Sequence, residues 1–236
     1  MEKIITYETL RNFTYSNDHL IKGEPRGIVL NFLGLSFSSM INEDPVQGVE
    51  YAREGVIYLV PYYNPWCWMN QSTVPLIDEI LEVLCAHYGM SSPRIVSSGV
   101  SMGGLCSLVY CAYAKITPVA CVANCPVCDL VYHFTERPDL PKSLYSAFYT
   151  YEGTMEEALR TASPVHLVSR MPKISYTVFH CEKDLSVNID RHSVRFVEEM
   201  RPYGEVTLIR VPERGHGDLS EEAKEAYKNA ILSAFV

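Results

Sequence analysis

The sequence predicts an α/β protein whose mostly parallel, doubly wound sheet carries helices on both faces. Two observations point to this class. Short β-branched apolar runs recur along the chain without the polar alternation of a half-exposed strand, which is typical of strands buried on both faces. Segments with helical periodicity separate these runs, and an alternation of strand and helix is the pattern of an α/β fold.

Six runs are predicted to be the buried strands. Each is rich in apolar or β-branched residues and is followed by glycine, proline or a polar residue. In chain order they are Gly27–Leu33, Gly55–Val60, Ile95–Ser98, Val119–Ala123, Ile174–Phe179 and Val206–Val211. The first 22 residues, with apolar groups at 4–7 and 13–15, predict an antiparallel hairpin at one edge of this sheet.

Helices are predicted over 76–84, 102–114, 188–200 and 221–235, where apolar residues recur at helical spacing or acids fill a first turn. The segment 130–162 has neither the strand pattern nor the helix pattern, because aromatic residues and two prolines are interspersed there without a regular spacing. An insertion of this length usually has a function, so we expect a cap over a pocket. A helical decoration of the surface is the alternative.

Composition and charge narrow the class of protein. The 236 residues are 47% hydrophobic and 20% charged, which fits a single globular domain over 1–236. The net charge of −8 argues against a nucleic-acid partner. The chain starts with a polar stretch through Asp18, and no apolar run has the length of a membrane span, so neither a secretion signal nor membrane contact is expected. These features predict a cytoplasmic protein.

Eight cysteines are present, and a cytoplasmic chain keeps its thiols reduced. Cys125 and Cys128 form a CxxC pair, with Cys121 just upstream. A zinc site needs a second ligand pair, which does not follow in the sequence, and the pair does not open a helix as a thioredoxin-like motif does. We therefore expect these residues to be structural, with no metal bound.

The segment Gly99-Val100-Ser101-Met102-Gly103 matches the pattern G-x-S-x-G between a predicted strand and a predicted helix. In that context the pattern indicates a sharp, strained turn that lifts the serine hydroxyl above the sheet. The glycines allow strand and helix to approach closely. Ser101 is therefore the candidate nucleophile.

A serine hydroxyl needs a base, and the chain offers seven histidines. In this architecture the order along the chain is serine, acid, histidine. His216 fits, because it lies between two glycines after the last predicted strand. His180, at the end of the preceding strand, is the nearest rival, although a packed, hydrogen-bonded histidine is the simpler interpretation of it.

The acid that orients the histidine is expected after the strand at 174–179. Asp184 lies in the loop there, and a buried carboxylate would hold the imidazole tautomer and stabilise the imidazolium. Glu182 and Asp129 are weaker alternatives, since either can be a solvated loop acid.

Backbone amides and aromatic side chains complete the predicted site. The N–H groups of Met102, at a helix N-terminus, and of Leu35, after Gly34, are candidates for an oxyanion hole. Tyr63, Trp66 and Trp68 follow a strand at the edge of the sheet where ligands bind, and we predict that they contact substrate. Packing beneath the insertion is an equally good interpretation of these aromatic residues.

These residues resemble the α/β-hydrolase superfamily, and within it the catalytic domains of prolyl oligopeptidase-like peptidases and their esterase relatives. The resemblance runs from about Ile28 to the C-terminus. It rests on the Leu33-Gly34 turn, the Gly99–Gly104 segment, Ser163-Pro164 with the segment His180–Asp184, and Gly215-His216-Gly217. Leu33 departs from the family, which usually has histidine there. The resemblance implies an α/β-hydrolase fold and acyl hydrolysis without a metal or organic cofactor.

The sequence-based hypothesis is a serine hydrolase that cleaves a carboxylic ester through an acyl-serine. A small peptidase or aminoacyl hydrolase with the same site is the first alternative. The second is a ligand-binding protein that keeps the fold with little turnover. The expected partner is a small ester or short peptide, and a homo-oligomer is compatible with the sequence.

Overall fold

The sheet is the centre of the fold. The structure, a computed structural model, describes residues 3–236. Its seven strands are β1 (Thr14–Ser16), β2 (Gly27–Phe32), β3 (Val56–Pro61), β4 (Ile95–Val100), β5 (Ala120–Asn124), β6 (Ser175–Cys181) and β7 (Val206–Val211). They lie in the order β1-β3-β2-β4-β5-β6-β7, and every neighbouring pair except β1 and β3 is parallel. The predicted mostly parallel sheet is confirmed.

Helices cover both faces of this sheet. They are α1 (Val46–Arg53), α2 (Thr73–His87), α3 (Met102–Tyr113), α4 (Leu130–Glu136), α5 (Leu140–Phe148), α6 (Met155–Thr161), α7 (Pro164–Leu167), α8 (Arg195–Met200) and α9 (Glu221–Leu232). In β2, Ile28 and Leu30 pack in the core beside α2 and α3, whereas Val29 packs in the core beside α1 and α9. Alternate residues of one strand are therefore buried on opposite faces, which explains the continuous apolar runs. Within 3–236 no helix has both the length and the hydrophobicity required to cross a membrane.

The N-terminal edge is antiparallel as predicted, but it is not a hairpin. Only Thr14–Ser16 forms a strand, and it pairs with the end of β3. Residues 4–6 form no strand and 7–9 form a turn, where the Thr9 side chain accepts the Thr6 amide at 2.9 Å and donates to the Ile4 carbonyl at 2.7 Å. Such local side-chain bonds compete with strand pairing.

Two helical segments differ from the sequence expectation. Helix α1 was not predicted, since it is only eight residues long. The helix expected over 188–200 begins as a π-helical turn at Asp190–Val194 and becomes α8 only at Arg195. The insertion at 130–162 contains three helices, α4 to α6, and the buried Trp68 donates from Nε1 to Ser143 on α5 at 3.0 Å.

Candidate active site

Ser101 lies in the turn that joins β4 to α3. Its φ of 62° and ψ of −123° are strained for a residue with a side chain. The turn is tight: a Cβ on Gly103 would lie 2.1 Å from the Phe32 carbonyl oxygen, and one on Gly99 would lie 2.4 Å from the Gly103 oxygen. Glycine is therefore required at both positions, and the structure has the strand–turn–helix geometry that the sequence motif predicts.

Asp184 and His216 meet at the same edge of the sheet. The His216 Nδ1–H donates to Oδ2 of Asp184 at 2.6 Å, and the Asp184 side chain is only 1% exposed. The other carboxylate oxygen accepts the amides of Ser186 and Val187 at 2.8 and 3.0 Å. Because these two amides fix Oδ1, Oδ2 is held towards the imidazole.

Electrostatics strengthen this pair. Burial by itself raises the pKa of the Asp184 carboxyl, but hydrogen bonds from His180, His216 and the Val187 amide hold it well below its usual range. Burial likewise lowers the pKa of His216, but the bonds to Asp184 and to the Cys125 thiol outweigh it and raise the pKa to about 9. Asp184 is therefore an anion that stabilises a cationic His216.

The alternative acids lie elsewhere. Asp129 begins α4, where Oδ1 accepts the amides of Val131 and Tyr132, and its second oxygen pairs with Arg195. Glu182 faces Arg210 at 3.9 Å and is 40% exposed. Neither carboxylate is hydrogen-bonded to His216.

His180, the rival base, is fully buried. Its Nδ1 bonds Oγ of Ser193 at 2.6 Å, while Nε2 lies 3.1 Å from the Val187 carbonyl oxygen and 3.4 Å from Oδ2 of Asp184. Both ring nitrogens are occupied, so the interpretation of His180 as a packed, hydrogen-bonded residue describes what is found.

One residue, Asn124, connects Ser101 to Gly217, the residue that follows His216. The Ser101 amide donates to the Asn124 carbonyl at 3.0 Å, and Nδ2 of Asn124 donates to the Gly217 carbonyl at 3.1 Å. In residues 3–236 no hydrogen bond links Oγ of Ser101 directly to the His216 ring. The hydrogen bond between a nucleophile and its base often tightens only in the complex with substrate.

Both candidate oxyanion donors are free of backbone acceptors within the described part of the chain. Met102 is the first residue of α3, where an amide has no intrahelical partner. Leu35 follows Gly34, and a Cβ on Gly34 would lie 3.7 Å from the Val100 carbonyl oxygen, so this loop runs beside the turn that carries Ser101.

The three aromatic residues predicted to contact substrate have different surroundings. Trp68 is 1% exposed and packs edge-on against His133, beneath the insertion. The hydroxyl of Tyr63 donates to the Leu33 carbonyl at 2.9 Å, next to the candidate oxyanion loop. Trp66 is 39% exposed, and its Nε1 donates to Ser146 at 3.2 Å. Trp66 alone has a substantial surface available to a ligand.

Two clusters among residues 3–236 have the composition of a metal site, and one of them, Cys125, His180 and Asp184, belongs to the surroundings of His216 described above. In the other, His133, Glu136 and His192 bring their ligand atoms within 4.8 Å of one another. However, Nδ1 of His192 accepts the amides of Cys128 and Asp129, so its proton is on Nε2, which donates to Glu136 at 2.9 Å. A metal would have to displace that proton, and the cluster is better described as a buried hydrogen-bond network.

Two residues beside the site were not singled out as functional from the sequence. Asn124 ends β5 and Cys125 follows it, and both contact the loop that carries His216. For Asn124 the sequence signal was a polar residue at the end of a buried strand. Cys125 belongs to the CxxC pattern, which was interpreted in terms of metal binding. All eight cysteines are buried and unpaired.

Comparison with known proteins identifies the family of the chain. The model of the prolyl oligopeptidase family matches residues 69–236, more than two thirds of the chain. No curated protein sequence matches the chain significantly.

Solved structures with the same fold include peptidases and an esterase. A puromycin hydrolase has 15% sequence identity and a TM-score of 0.70, covering 91% of this chain and 34% of its own. An acylaminoacyl peptidase from Pyrococcus horikoshii has 14% identity and a TM-score of 0.65, covering 90% and 37%. A thermophilic esterase from Thermogutta terrifontis has 19% identity and a TM-score of 0.61, covering 93% and 86%. The chain thus spans about a third of the length of the puromycin hydrolase and of the acylaminoacyl peptidase, and most of the length of the esterase.

Proposed function

The chain belongs to the prolyl oligopeptidase family, and we propose that it is a serine hydrolase that cleaves a carboxylic ester through an acyl-serine intermediate. The observation that carries the proposal is the buried Asp184, which holds His216 beside the strained turn of Ser101. An interaction protein would not need a charged pair and a strained serine at one sheet edge.

Each residue has a defined step in this mechanism. Oγ of Ser101 attacks the ester carbonyl while Nε2 of His216 takes its proton, and Asp184 stabilises the imidazolium that forms. The amides of Met102 and Leu35 are proposed to bind the oxyanion. His216 then passes the proton to the departing alcohol, and a water molecule repeats the sequence to release the acid.

Peptide or aminoacyl amide hydrolysis is the second candidate. Its support is the family itself, together with neighbours that are described as peptidases. Ester hydrolysis is supported by the esterase, because it resembles this chain over most of both lengths. We therefore propose a small ester as the main substrate class and a short peptide as the alternative. The unpaired cysteines support a reducing compartment such as the cytoplasm.

A fluorophosphonate probe tests the proposal directly, since it labels only an activated serine. Wild-type protein should be labelled, Ser101→Ala should not, and Ser98→Ala should be labelled like wild type. Ser98 is a matched control because it lies three residues earlier, on β4, and is fully buried. Labelling that persists in Ser101→Ala would reject Ser101 as the nucleophile. A panel of p-nitrophenyl esters and aminoacyl p-nitroanilides then separates esterase from peptidase activity.

A further inference from the structure

Asn124, the last residue of β5, lies between the two loops that carry Ser101 and His216. Its carbonyl accepts the Ser101 amide at 3.0 Å, and its side-chain Nδ2 donates to the Gly217 carbonyl at 3.1 Å. Register pairs it with Val100, the residue before Ser101. A single residue therefore contacts the main chain on both sides of the space between nucleophile and base.

The amide group of Asn124 is poorly explained by stability. The residue is 2% exposed, and its Oδ1 is buried without a hydrogen-bond partner among residues 3–236. A buried acceptor without a partner lowers the stability of the folded state. An apolar side chain of the same shape would avoid this loss, and the bond from Nδ2 to Gly217 is the one hydrogen bond that the amide group makes in exchange among residues 3–236.

The neighbouring contact of Gly217 is weaker. The Gly217 amide donates to Sγ of Cys125 at 3.4 Å, and sulfur is a weak acceptor. Gly217 also has a φ of 72°, a conformation that glycine adopts without strain and that does not itself fix the loop. The bond from Asn124 is thus the strongest polar contact to the residue that follows His216.

We propose that Asn124 is a positioning residue that sets the separation between Ser101 and His216. The inference rests on the proposed function, because it assumes that these two residues exchange a proton. Displacing a reacting group by about 1 Å can lower the rate about 100-fold, so a small loop movement has a large effect on turnover.

Asn124→Leu and Asn124→Ala test the inference. Both remove the donor to Gly217, and leucine also keeps the branched shape of the side chain and removes the unpartnered oxygen. Each variant is expected to lower kcat about 10- to 100-fold while KM stays within about threefold, since substrate contacts are unchanged. The leucine variant should keep the wild-type Tm. Ser98→Ala is the matched control: it removes a buried hydroxyl that bonds Asn31 at 3.2 Å and does not contact either loop, so kcat should not change.

The outcomes separate this inference from the proposed function. If wild type is labelled at Ser101 and both folded Asn124 variants keep kcat within about threefold, the positioning role is wrong and the hydrolase assignment stands. If kcat falls only together with Tm, and equally in Ser98→Ala, Asn124 is merely structural. If wild type shows no labelling at Ser101, the proposed function fails and the inference fails with it.

Discussion

Asp184→Asn is the most informative single substitution, because it changes charge and hydrogen bonding with almost no change in shape. In the native chain the Ser186 and Val187 amides both donate to Oδ1 of Asp184. In the variant these two donors still require an acceptor, so the amide oxygen must take the Oδ1 position. The new amide nitrogen then occupies the Oδ2 position, 2.6 Å from Nδ1 of His216.

The consequence follows from the tautomer of His216. An amide nitrogen donates and does not accept, so Nδ1 must become the acceptor and the ring proton moves to Nε2. The nitrogen that should take the Ser101 proton then already carries one. Substitutions that produce the wrong tautomer lower kcat about 10⁴-fold in serine hydrolases, or about 5 kcal/mol of transition-state stabilisation.

The assay is steady-state hydrolysis of the best p-nitrophenyl ester, with Tm measured in parallel. Glu182→Gln is the matched control, because Glu182 is an acid in the same loop that faces only Arg210. It should keep wild-type kcat. If Asp184→Asn retains more than about a tenth of wild-type kcat, or if Asp129→Asn is the more damaging change, the assignment of the acid is wrong.

Three further predictions concern pH, stability and the aromatic residues. His216 must be neutral to act as a base, and its pKa is raised to about 9. The value of kcat/KM should therefore increase with pH, and the midpoint of this increase should lie near pH 9. A midpoint at or below pH 6.5 would contradict the Asp184 contact. Glu136→Gln removes charged hydrogen bonds to His133 and to His192. We expect the free energy of unfolding to fall by about 2 kcal/mol and the Tm in thermal unfolding to fall by about 4–8 °C. An unchanged Tm would contradict this. Trp68→Ala should destabilise the protein by about 3–5 kcal/mol in denaturant unfolding, whereas Trp66→Ala should change KM with little effect on stability; the reverse pattern would exchange their roles.

Much of the site could be predicted because it depends on chain order and strand ends. In a parallel sheet the carboxyl ends of the strands meet at one edge, so residues that follow different strands come together. Asp184 follows β6 and His216 follows β7, and their side chains form a hydrogen bond at that edge; their catalytic roles stay a prediction. The Ser101 turn was signalled by glycines whose close approach to other backbone is now visible.

Other features depend on contacts that periodicity does not encode. The π-helical turn at Asp190–Val194 places Ser193 against His180, and no spacing rule anticipates a bond between a strand and a turn. Trp68 and Trp66 are two residues apart, yet one is buried beneath α5 and the other is exposed. The contact of Asn124 with Gly217 joins residues that are 93 positions apart.

The formation of a covalent intermediate on Ser101 is the central claim, and mass spectrometry after acid quenching tests it most directly. An aryl carbamate should be used as substrate, because the carbamoyl-enzyme it forms is hydrolysed slowly enough to be isolated. The account predicts one carbamoyl group per chain, on the peptide that contains Ser101, and none in Ser101→Ala. A carbamoyl group on Cys125 or another residue, or turnover that persists in Ser101→Ala, would contradict it.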